Sequence, residues 1–201
     1  MRLRYNKNAI NLLENSEFCI KEFPYKISNN TVLEIGMGKG RMLANLAEKN
    51  PNIQYIGLEK YSTPALSALK KIEAKKLKNM KIIVNDAIQL DSYFDGKIKT
   101  IWLTFSDPWP KKRHFKRRLV YKTFLEQYKK ILAKDGVVYF KTDNQLLYEF
   151  ALEQLNEFNA NVLYNTNDLH HCDYEIDNQL TDYEEKFKNE GKNIYFIAFN
   201  F

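Results

Sequence analysis

Residues 31–40 have the sequence TVLEIGMGKG and are followed directly by RMLANLAEK, from Arg41 to Lys49. Residues 31–35 form an apolar run interrupted by one glutamate, which predicts a buried strand, and the alternating glycines that follow predict a tight loop. Apolar residues at helical spacing predict a helix over Arg41–Lys49, which Asn50 and Pro51 end. A strand, a glycine-rich loop and a helix in this order predict the first unit of a nucleotide-binding α/β fold, although the glycine pattern alone is a weak indication.

The same alternation of strand and helix continues to the end of the chain. Further strands are predicted at residues 54–58, 81–84, 99–105, 137–140, 162–164 and 194–199, and further helices near 62–76, 119–133, 145–158 and 181–188. We therefore expect an α/β fold with a doubly wound, mainly parallel seven-stranded sheet (Rossmann-like), covered by helices on both faces. The last strand is expected to be antiparallel, because no full helix separates it from the strand before.

The composition limits what kind of protein this is. At 201 residues, with 44% hydrophobic residues, the chain is expected to form one domain over residues 1–201, in which residues 1–28 are a basic arm and a helix. The net charge of +6 permits a polyanionic partner. Cys19 and Cys172 form no CxxC pair, and neither a signal peptide nor an apolar run that could span a bilayer is visible, so a cytoplasmic protein is expected.

Four successive predicted strands end in an acidic residue, and these are Glu34, Glu59, Asp86 and Asp107. Glu34 stands directly before the glycines, where a carboxylate would repel the pyrophosphate of a dinucleotide and attract an ammonium or a sulfonium. S-adenosylmethionine has both cations, one ribose and no phosphate, and so fits better than NAD or FAD. Glu59 is placed to bind ribose hydroxyls, and Asp86 lies within reach of an adenine amino group. Any one of these acids could be a cap or turn residue, but four in succession favour a binding site.

Residues 106–118, SDPWPKKRHFKRR, follow the fourth predicted strand. The two prolines prevent helix formation and predict that the strand ends in a stiff loop. An acid and an exposed Trp109 beside packed cations would suit a purine with phosphates next to it, and Trp102, within the strand, is expected in the core. The alternative for this segment is a surface turn that leads into a solvated basic helix.

The sequence closely resembles bacterial tRNA (guanine-N7)-methyltransferases, which have the class I methyltransferase fold. The matching segments are MRLR at 1–4, EIGMGKG at 34–40, YIGLE at 55–59, NDA at 85–87, FSDPWPKKRH at 105–114, FKTDN at 140–144, DLH at 168–170 and TDYEEKF at 181–187. SDPWPKKRH together with TDYEEKF is highly specific, and the one departure is a short region between the amino-terminal arm and the first strand.

The resemblance implies methyl transfer from S-adenosylmethionine to N7 of guanine at position 46, in the variable loop of tRNA. Asp107 would act as the catalytic residue, closest to the reacting methyl group. The cofactor would be bound by Glu34, Gly36, Gly38, Glu59, Asp86, Ala87 and Asp107. The guanosine would be contacted by Lys111, Asp143, Thr181, Asp182, Tyr183 and Glu184. The tRNA backbone would be held by Arg113, His114, Phe115, Lys116, Arg117 and Arg118.

The chemistry of the base supports this assignment. N7 of neutral guanine has an in-plane lone pair and no proton, so its methylation needs alignment and no general base. A carboxylate can accept from guanine N1–H and from the exocyclic amine, and Asp107 and Asp143 are the two candidates. Asp143 could instead cap the helix that follows it.

Two other functions are compatible with the sequence. A methyltransferase acting on an exocyclic nitrogen is suggested by DPW at 107–109, which is similar to the [DN]PP[YFW] motif, but Trp109 stands where that motif has its second proline. A non-catalytic RNA-binding protein is disfavoured by the intact acids at the strand ends. No metal is expected, because His170, His171 and Cys172 lack a second ligand group at zinc-like spacing. The expected state is a monomer or a homodimer.

Overall fold

The computed structural model of the protein describes residues 6–201. The predicted basic arm, with Arg2 and Arg4, lies outside the described residues. The strands of the described part are β1 (Tyr25–Lys26), β2 (Val32–Ile35), β3 (Tyr55–Glu59), β4 (Met80–Val84), β5 (Phe94–Asp95), β6 (Ile98–Thr104), β7 (Leu132–Thr142), β8 (Asn161–Thr166) and β9 (Tyr195–Asn200). The helices are α1 (Ala9–Glu14), α2 (Arg41–Lys49), α3 (Ser62–Lys75), α4 (Lys122–Ile131), α5 (Gln145–Glu157) and α6 (Asp182–Asn189), with short 3₁₀ helices at Ala87–Ser92, Lys112–Arg117 and Leu169–His171.

The main sheet has seven strands in the order β4-β3-β2-β6-β7-β9-β8. β2 is parallel to both β3 and β6, whereas β9 is antiparallel to both β7 and β8. The predicted sheet, mainly parallel with an antiparallel last strand, is therefore confirmed. β1 and β5 form a separate two-stranded sheet that was not predicted, because strands of two residues show no periodicity.

The order of the strands defines one edge of the sheet as the place for a ligand. From β2 the chain winds outward through β3 to β4, and it then returns to β6 on the other side of β2. Ligands of open α/β sheets bind beyond the carboxyl ends of the strands where the winding reverses. The glycine loop follows β2 and the proline loop follows β6, so both predicted segments lie at this reversal.

Both faces of the sheet are covered by hydrophobic residues, which explains the apolar character of its central strands. Leu33 and Ile35 belong to one hydrophobic cluster and Val32 to another, because successive side chains of a strand point to opposite faces. Trp102 is 3% exposed and lies in the second cluster, which confirms its predicted place in the core. No helix within residues 6–201 has the length and apolarity needed to cross a membrane.

Both boundaries of one predicted helix are wrong, and its first residue is Lys122. The helix predicted at residues 119–133 ends at Ile131, because Leu132 takes extended backbone angles and pairs with Ile98 of β6. Asp135 and Gly136, predicted to stop the helix, instead lie inside β7. The pairing with β6 skips residues 133–136 there, so this segment bulges from the ladder.

Candidate active site at the carboxyl ends of the strands

The glycine loop leaves its backbone open on one side. Gly36, Gly38 and Gly40 have φ angles of 77°, 56° and 67°, in the left-handed region that favours glycine. A Cβ atom at Gly40 would lie 2.7 Å from the Cβ of Ala68 in α3, so glycine is also needed there for helix packing. A Cβ atom at Gly36 or Gly38 would meet nothing within 4 Å. The loop therefore combines close packing at its end with open space at the predicted cofactor position.

Glu34 is a buried carboxylate immediately before this loop, with 1% of its surface exposed. Its Oε1 accepts a hydrogen bond of 2.7 Å from the Thr104 hydroxyl on β6. Its Oε2 is buried and has no hydrogen-bond partner among the described residues. Burial raises the pKa of Glu34 to about 7, while the Thr104 hydrogen bond and the charge of Lys141 act in the opposite direction. A buried acceptor without a donor is costly, so Glu34 is suited to a ligand that brings a positively charged donor.

Glu59, at the end of β3, connects the glycine loop to β3 through hydrogen bonds. Its Oε2 accepts from the backbone N–H of Gly38 and its Oε1 from that of Tyr61, both at 2.9 Å. Burial raises the pKa of Glu59, and the backbone donors counteract this effect. Each carboxylate oxygen retains a second acceptor position, so Glu59 can still bind hydroxyl groups of a ligand.

Asp86 follows β4 and has the capping role that was the alternative to a ligand contact. Its Oδ1 accepts from the backbone N–H of Ile88 at 3.1 Å and so begins the Ala87–Ser92 helix. Its Oδ2 lies 2.7 Å from Nζ of Lys60, an ion pair at the surface. Ala87 is buried beside it. A cap and a surface ion pair do not exclude a ligand contact, because the aspartate is only half-buried.

The proline loop after β6 has a strained backbone that tertiary contacts hold in place. Phe105 and Trp109 have φ angles of 49° and 41°, which non-glycine residues seldom adopt and which are typical of functional sites. Arg118 donates from Nε to the carbonyl of Pro108 at 2.9 Å and from Nη2 to that of Trp109 at 3.2 Å. Asp107 lies exposed at the beginning of this loop, near enough to Glu59 to raise its pKa.

The basic segment at residues 111–118 contains exposed cations and also side chains that pack against the protein. Lys111, Lys112, Arg113, Lys116 and Arg117 are exposed, and the guanidinium of Arg117 lies 4.9 Å from the centre of the Trp109 ring. The residues that point inward are different. Phe115 packs edge-on against Tyr121, His114 packs against Trp109, and Arg118 lies over Phe150 and holds the loop. The solvated basic helix considered as an alternative is thus a short 3₁₀ helix (Lys112–Arg117), anchored to the loop.

The TDYE stretch at residues 181–184 begins α6 and is only partly available to a ligand. Thr181 caps the helix, with its Oγ1 accepting from the Glu184 N–H at 2.9 Å. Glu184 is fully buried and is bound to Nζ of Lys141 at 2.6 Å. Asp182 and Tyr183 are exposed. Of the four residues expected to contact guanosine, the structure therefore places two at the surface and commits two to internal contacts.

Asp143 follows β7 and is half-buried at the same edge of the sheet. The alternative that it caps the next helix is wrong, because the cap of α5 is Asn144, whose Oδ1 accepts from the Leu147 N–H at 2.9 Å.

Exposed apolar side chains also surround this edge of the sheet. Tyr61, Ile88, Leu146 and Tyr183 are 57–70% exposed and follow or face the strand ends, as expected for a surface that a ligand covers.

Comparison with known proteins identifies the family. A family model described as "Putative methyltransferase" matches residues 28–197. The chain is 62% identical over 201 residues to the tRNA (guanine-N(7)-)-methyltransferase of Metamycoplasma hominis, and the match covers 100% of both chains. The chain belongs to the tRNA (guanine-N7)-methyltransferase family.

Solved structures agree with the fold of this tRNA (guanine-N7)-methyltransferase family member. An antibiotic-related methyltransferase superposes with a TM-score of 0.61 at 16% identity, covering 86% of this chain and 87% of the other. PKMT2 from Rickettsia typhi in complex with AdoHcy superposes with a TM-score of 0.59 at 16% identity, covering 86% of this chain and 48% of the other. These similarities establish the class I methyltransferase fold.

Three residues that make contacts within the candidate site were not predicted from the sequence. Thr104 binds Glu34, Lys141 binds Glu184, and Arg41 forms ion pairs with Glu185 at 2.5 Å and with Asp182 at 3.4 Å. The available signal was the charge of Lys141 inside an apolar strand, since lysine is almost never fully buried unless it is paired.

Proposed function

We propose that this protein transfers the methyl group of S-adenosylmethionine to N7 of a guanine in tRNA and so forms 7-methylguanosine. The target is position 46 in the variable loop, and the protein acts in the cytoplasm as a monomer or homodimer. The observation that carries the proposal is the unpartnered, buried Oε2 of Glu34 next to an open glycine loop, in a chain 62% identical to a tRNA (guanine-N(7)-)-methyltransferase.

The strand-end acids form the proposed cofactor site. Glu34 binds the ammonium of the cofactor, which supplies the donor that its Oε2 lacks. Glu59 accepts from the ribose hydroxyls while its backbone bonds keep the loop in place. Asp86 and Ala87 would hold the adenine, and the open space at Gly36 and Gly38 would allow the cofactor to approach the backbone closely. The bound cofactor supplies an electrophilic methyl group on a sulfonium.

The guanine is selected by acceptors at the neighbouring strand ends. Asp107 or Asp143 accepts from N1–H and the exocyclic amine, where adenine offers no matching pair of donors. Lys111, Asp182 and Tyr183 are exposed around them and contact the nucleoside. Thr181 and Glu184 shape the site from inside, because both side chains already have internal partners.

The protein contributes alignment and charge to the reaction. N7 would attack the methyl carbon with its lone pair as the carbon–sulfur bond breaks and S-adenosylhomocysteine leaves, so no side chain needs to remove a proton. The purine gains a positive charge as the methyl is transferred, and Asp107 stabilises that charge as it develops. Arg113, Lys116 and Arg117 neutralise tRNA phosphates around a nucleotide extruded from its stack.

The experiment that tests this function is incubation of the protein with unmodified tRNA and S-adenosylmethionine, followed by identification of the methylated nucleoside. We expect 7-methylguanosine from the wild-type protein and turnover lost in Asp107→Asn, which keeps the shape of the side chain. A nucleoside methylated at an exocyclic nitrogen would support the amino-methyltransferase. No product, with tRNA binding retained, would support the RNA-binding protein.

A further inference from the structure

Lys141 is a buried lysine on β7 to which the proposed function gives no role. Its side chain has no exposed surface, and its Nζ lies 2.6 Å from Oε2 of Glu184 and 2.8 Å from Oδ1 of Asn178. The ammonium also lies 5.1 Å from the centre of the Trp102 ring. Burial lowers the pKa of Lys141, whereas the carboxylates of Glu184 and Glu34 raise it. Lys141 is thus a buried lysine that is paired with Glu184 on one side and faces the carboxylate of the candidate cofactor site on the other.

The ion pair fixes the beginning of α6 against the sheet. Glu184 uses its other oxygen to accept from Nδ2 of Asn178 at 2.8 Å, and Nε2 of His170 lies 3.6 Å from the same oxygen. Its neighbours Asp182 and Tyr183 belong to the proposed guanosine site. A buried ion pair contributes little net stability compared with apolar residues of the same volume. The pair therefore matters more for the geometry that it imposes on the beginning of α6 than for net stability.

The same lysine acts electrostatically on Glu34. Lys141 is paired in register with Thr104, and the hydroxyl of Thr104 donates to Glu34, whose own register partner is Trp102, so Thr104 connects the two charged residues diagonally across β7, β6 and β2. The positive charge of Lys141 favours ionised Glu34, and the negative charge of Glu59 opposes it. Glu34 binds an ammonium only in its charged form.

We propose that Lys141 is a positioning residue that joins the two halves of the site, holding Glu184 and the beginning of α6 on one side and keeping Glu34 charged for the cofactor on the other. This inference rests on the proposed function. It predicts that a folded variant without the lysine binds the cofactor with a different dependence on pH from the wild type.

The test uses Lys141→Met together with the double variant Lys141→Met/Glu184→Gln, in which no buried charge is left unpaired. Affinity for S-adenosylhomocysteine is measured by calorimetry from pH 6 to pH 8, and thermal unfolding checks the fold. We expect the double variant to fold. Its affinity for S-adenosylhomocysteine should begin to fall at a higher pH than that of the wild type as the solution is made more acidic. A rise of up to one unit in the pKa of Glu34, from about 7, would weaken binding at pH 7 by up to about fivefold. The control ligand is 5′-methylthioadenosine, which lacks the amino acid moiety and should bind both proteins equally.

The outcomes are distinct. A double variant that binds S-adenosylhomocysteine with the wild-type pH dependence, or that does not fold, would show that the pair serves only the structure, and the inference would be overturned. The variant Glu34→Gln distinguishes failure of this inference from failure of the proposed function. If Glu34→Gln binds S-adenosylhomocysteine as tightly as the wild type, the assignment of the cofactor site itself fails, whatever Lys141 does.

Discussion

The guanidinium of Arg41 forms a two-pronged ion pair with the carboxylate of Glu185, with Nη1–Oε2 and Nη2–Oε1 distances of 2.5 and 2.8 Å. Arg41 is the first residue of α2, directly after the glycine loop, and Glu185 lies in the first turn of α6. The pair therefore connects the proposed cofactor loop to the segment proposed to contact guanosine. The fork geometry of arginine is suited to this two-point contact, whereas lysine offers only a point charge.

Arg41→Ala is expected to lower kcat/KM for tRNA several-fold, because the beginning of α6 loses one of its attachments. Affinity for S-adenosylhomocysteine should change little, since the side chain of Arg41 points towards α6. Steady-state methylation and calorimetry measure the two effects. Arg41→Lys is the matched control and should recover only part of the activity; full recovery by lysine would show that charge alone matters here.

Glu34→Gln is expected to stabilise the protein without ligand above neutral pH. The folded-state pKa of Glu34 is raised from 4.5 to about 7, so the folded protein binds the proton more tightly than the unfolded chain does. The wild type therefore loses stability as pH rises from about 4.5 to 7, by roughly 3 kcal/mol if the whole shift is expressed. Urea unfolding of both proteins between pH 4 and pH 8 should show a stability gain for the variant that is near zero at about pH 4 and grows until about pH 7. With S-adenosylhomocysteine present, the wild type should become the more stable of the two proteins, because the ligand stabilises only the protein with the carboxylate. A constant difference across this pH range would contradict the raised pKa.

The candidate site could be located from the sequence, but its internal pairing could not. Glu34, Glu59 and Asp107 were predicted to share one site because each lies at the end of a predicted strand, and parallel strands end at one edge of a sheet. The contacts of Lys141 with Glu184 and of Arg118 with the proline loop depend on side-chain directions after folding. They also join positions that no local spacing relates, as the 43-residue separation of Lys141 and Glu184 shows. Sequence patterns therefore identified the acids at the strand ends and the exposed cations, but not the internal contacts that hold α6 and the proline loop in place.

Glu59→Ala is expected to weaken S-adenosylmethionine binding by about 1–3 kcal/mol, the usual cost of leaving buried polar groups without partners. The structure adds a second effect, because the backbone N–H groups of Gly38 and Tyr61 lose their acceptor. Thermal stability of the protein without ligand should therefore fall as well. Glu59→Gln retains one carbonyl acceptor, so its cofactor affinity and its thermal stability should lie between those of the wild type and the alanine variant. If calorimetry finds cofactor affinity unchanged in the alanine variant, Glu59 serves only to hold the loop.

Arg117 and Arg118 are adjacent in sequence, but substitution of each should have different consequences. Arg117 is exposed over Trp109, so Arg117→Ala should weaken tRNA binding and flatten its dependence on salt, because fewer counterions are released. Binding of S-adenosylhomocysteine should stay at the wild-type level.

Arg118→Ala should instead disturb the proline loop, because the carbonyls of Pro108 and Trp109 lose their donor and the loop carries Asp107. We expect the rate of single-turnover methyl transfer to fall more than tRNA affinity does, with most of the salt dependence retained. Filter binding at three salt concentrations and single-turnover rates separate the two variants. Equal losses of salt dependence in both would mean that Arg118 leaves the loop to bind phosphate when tRNA is present. A normal transfer rate in Arg118→Ala would mean that the loop keeps its conformation without this donor.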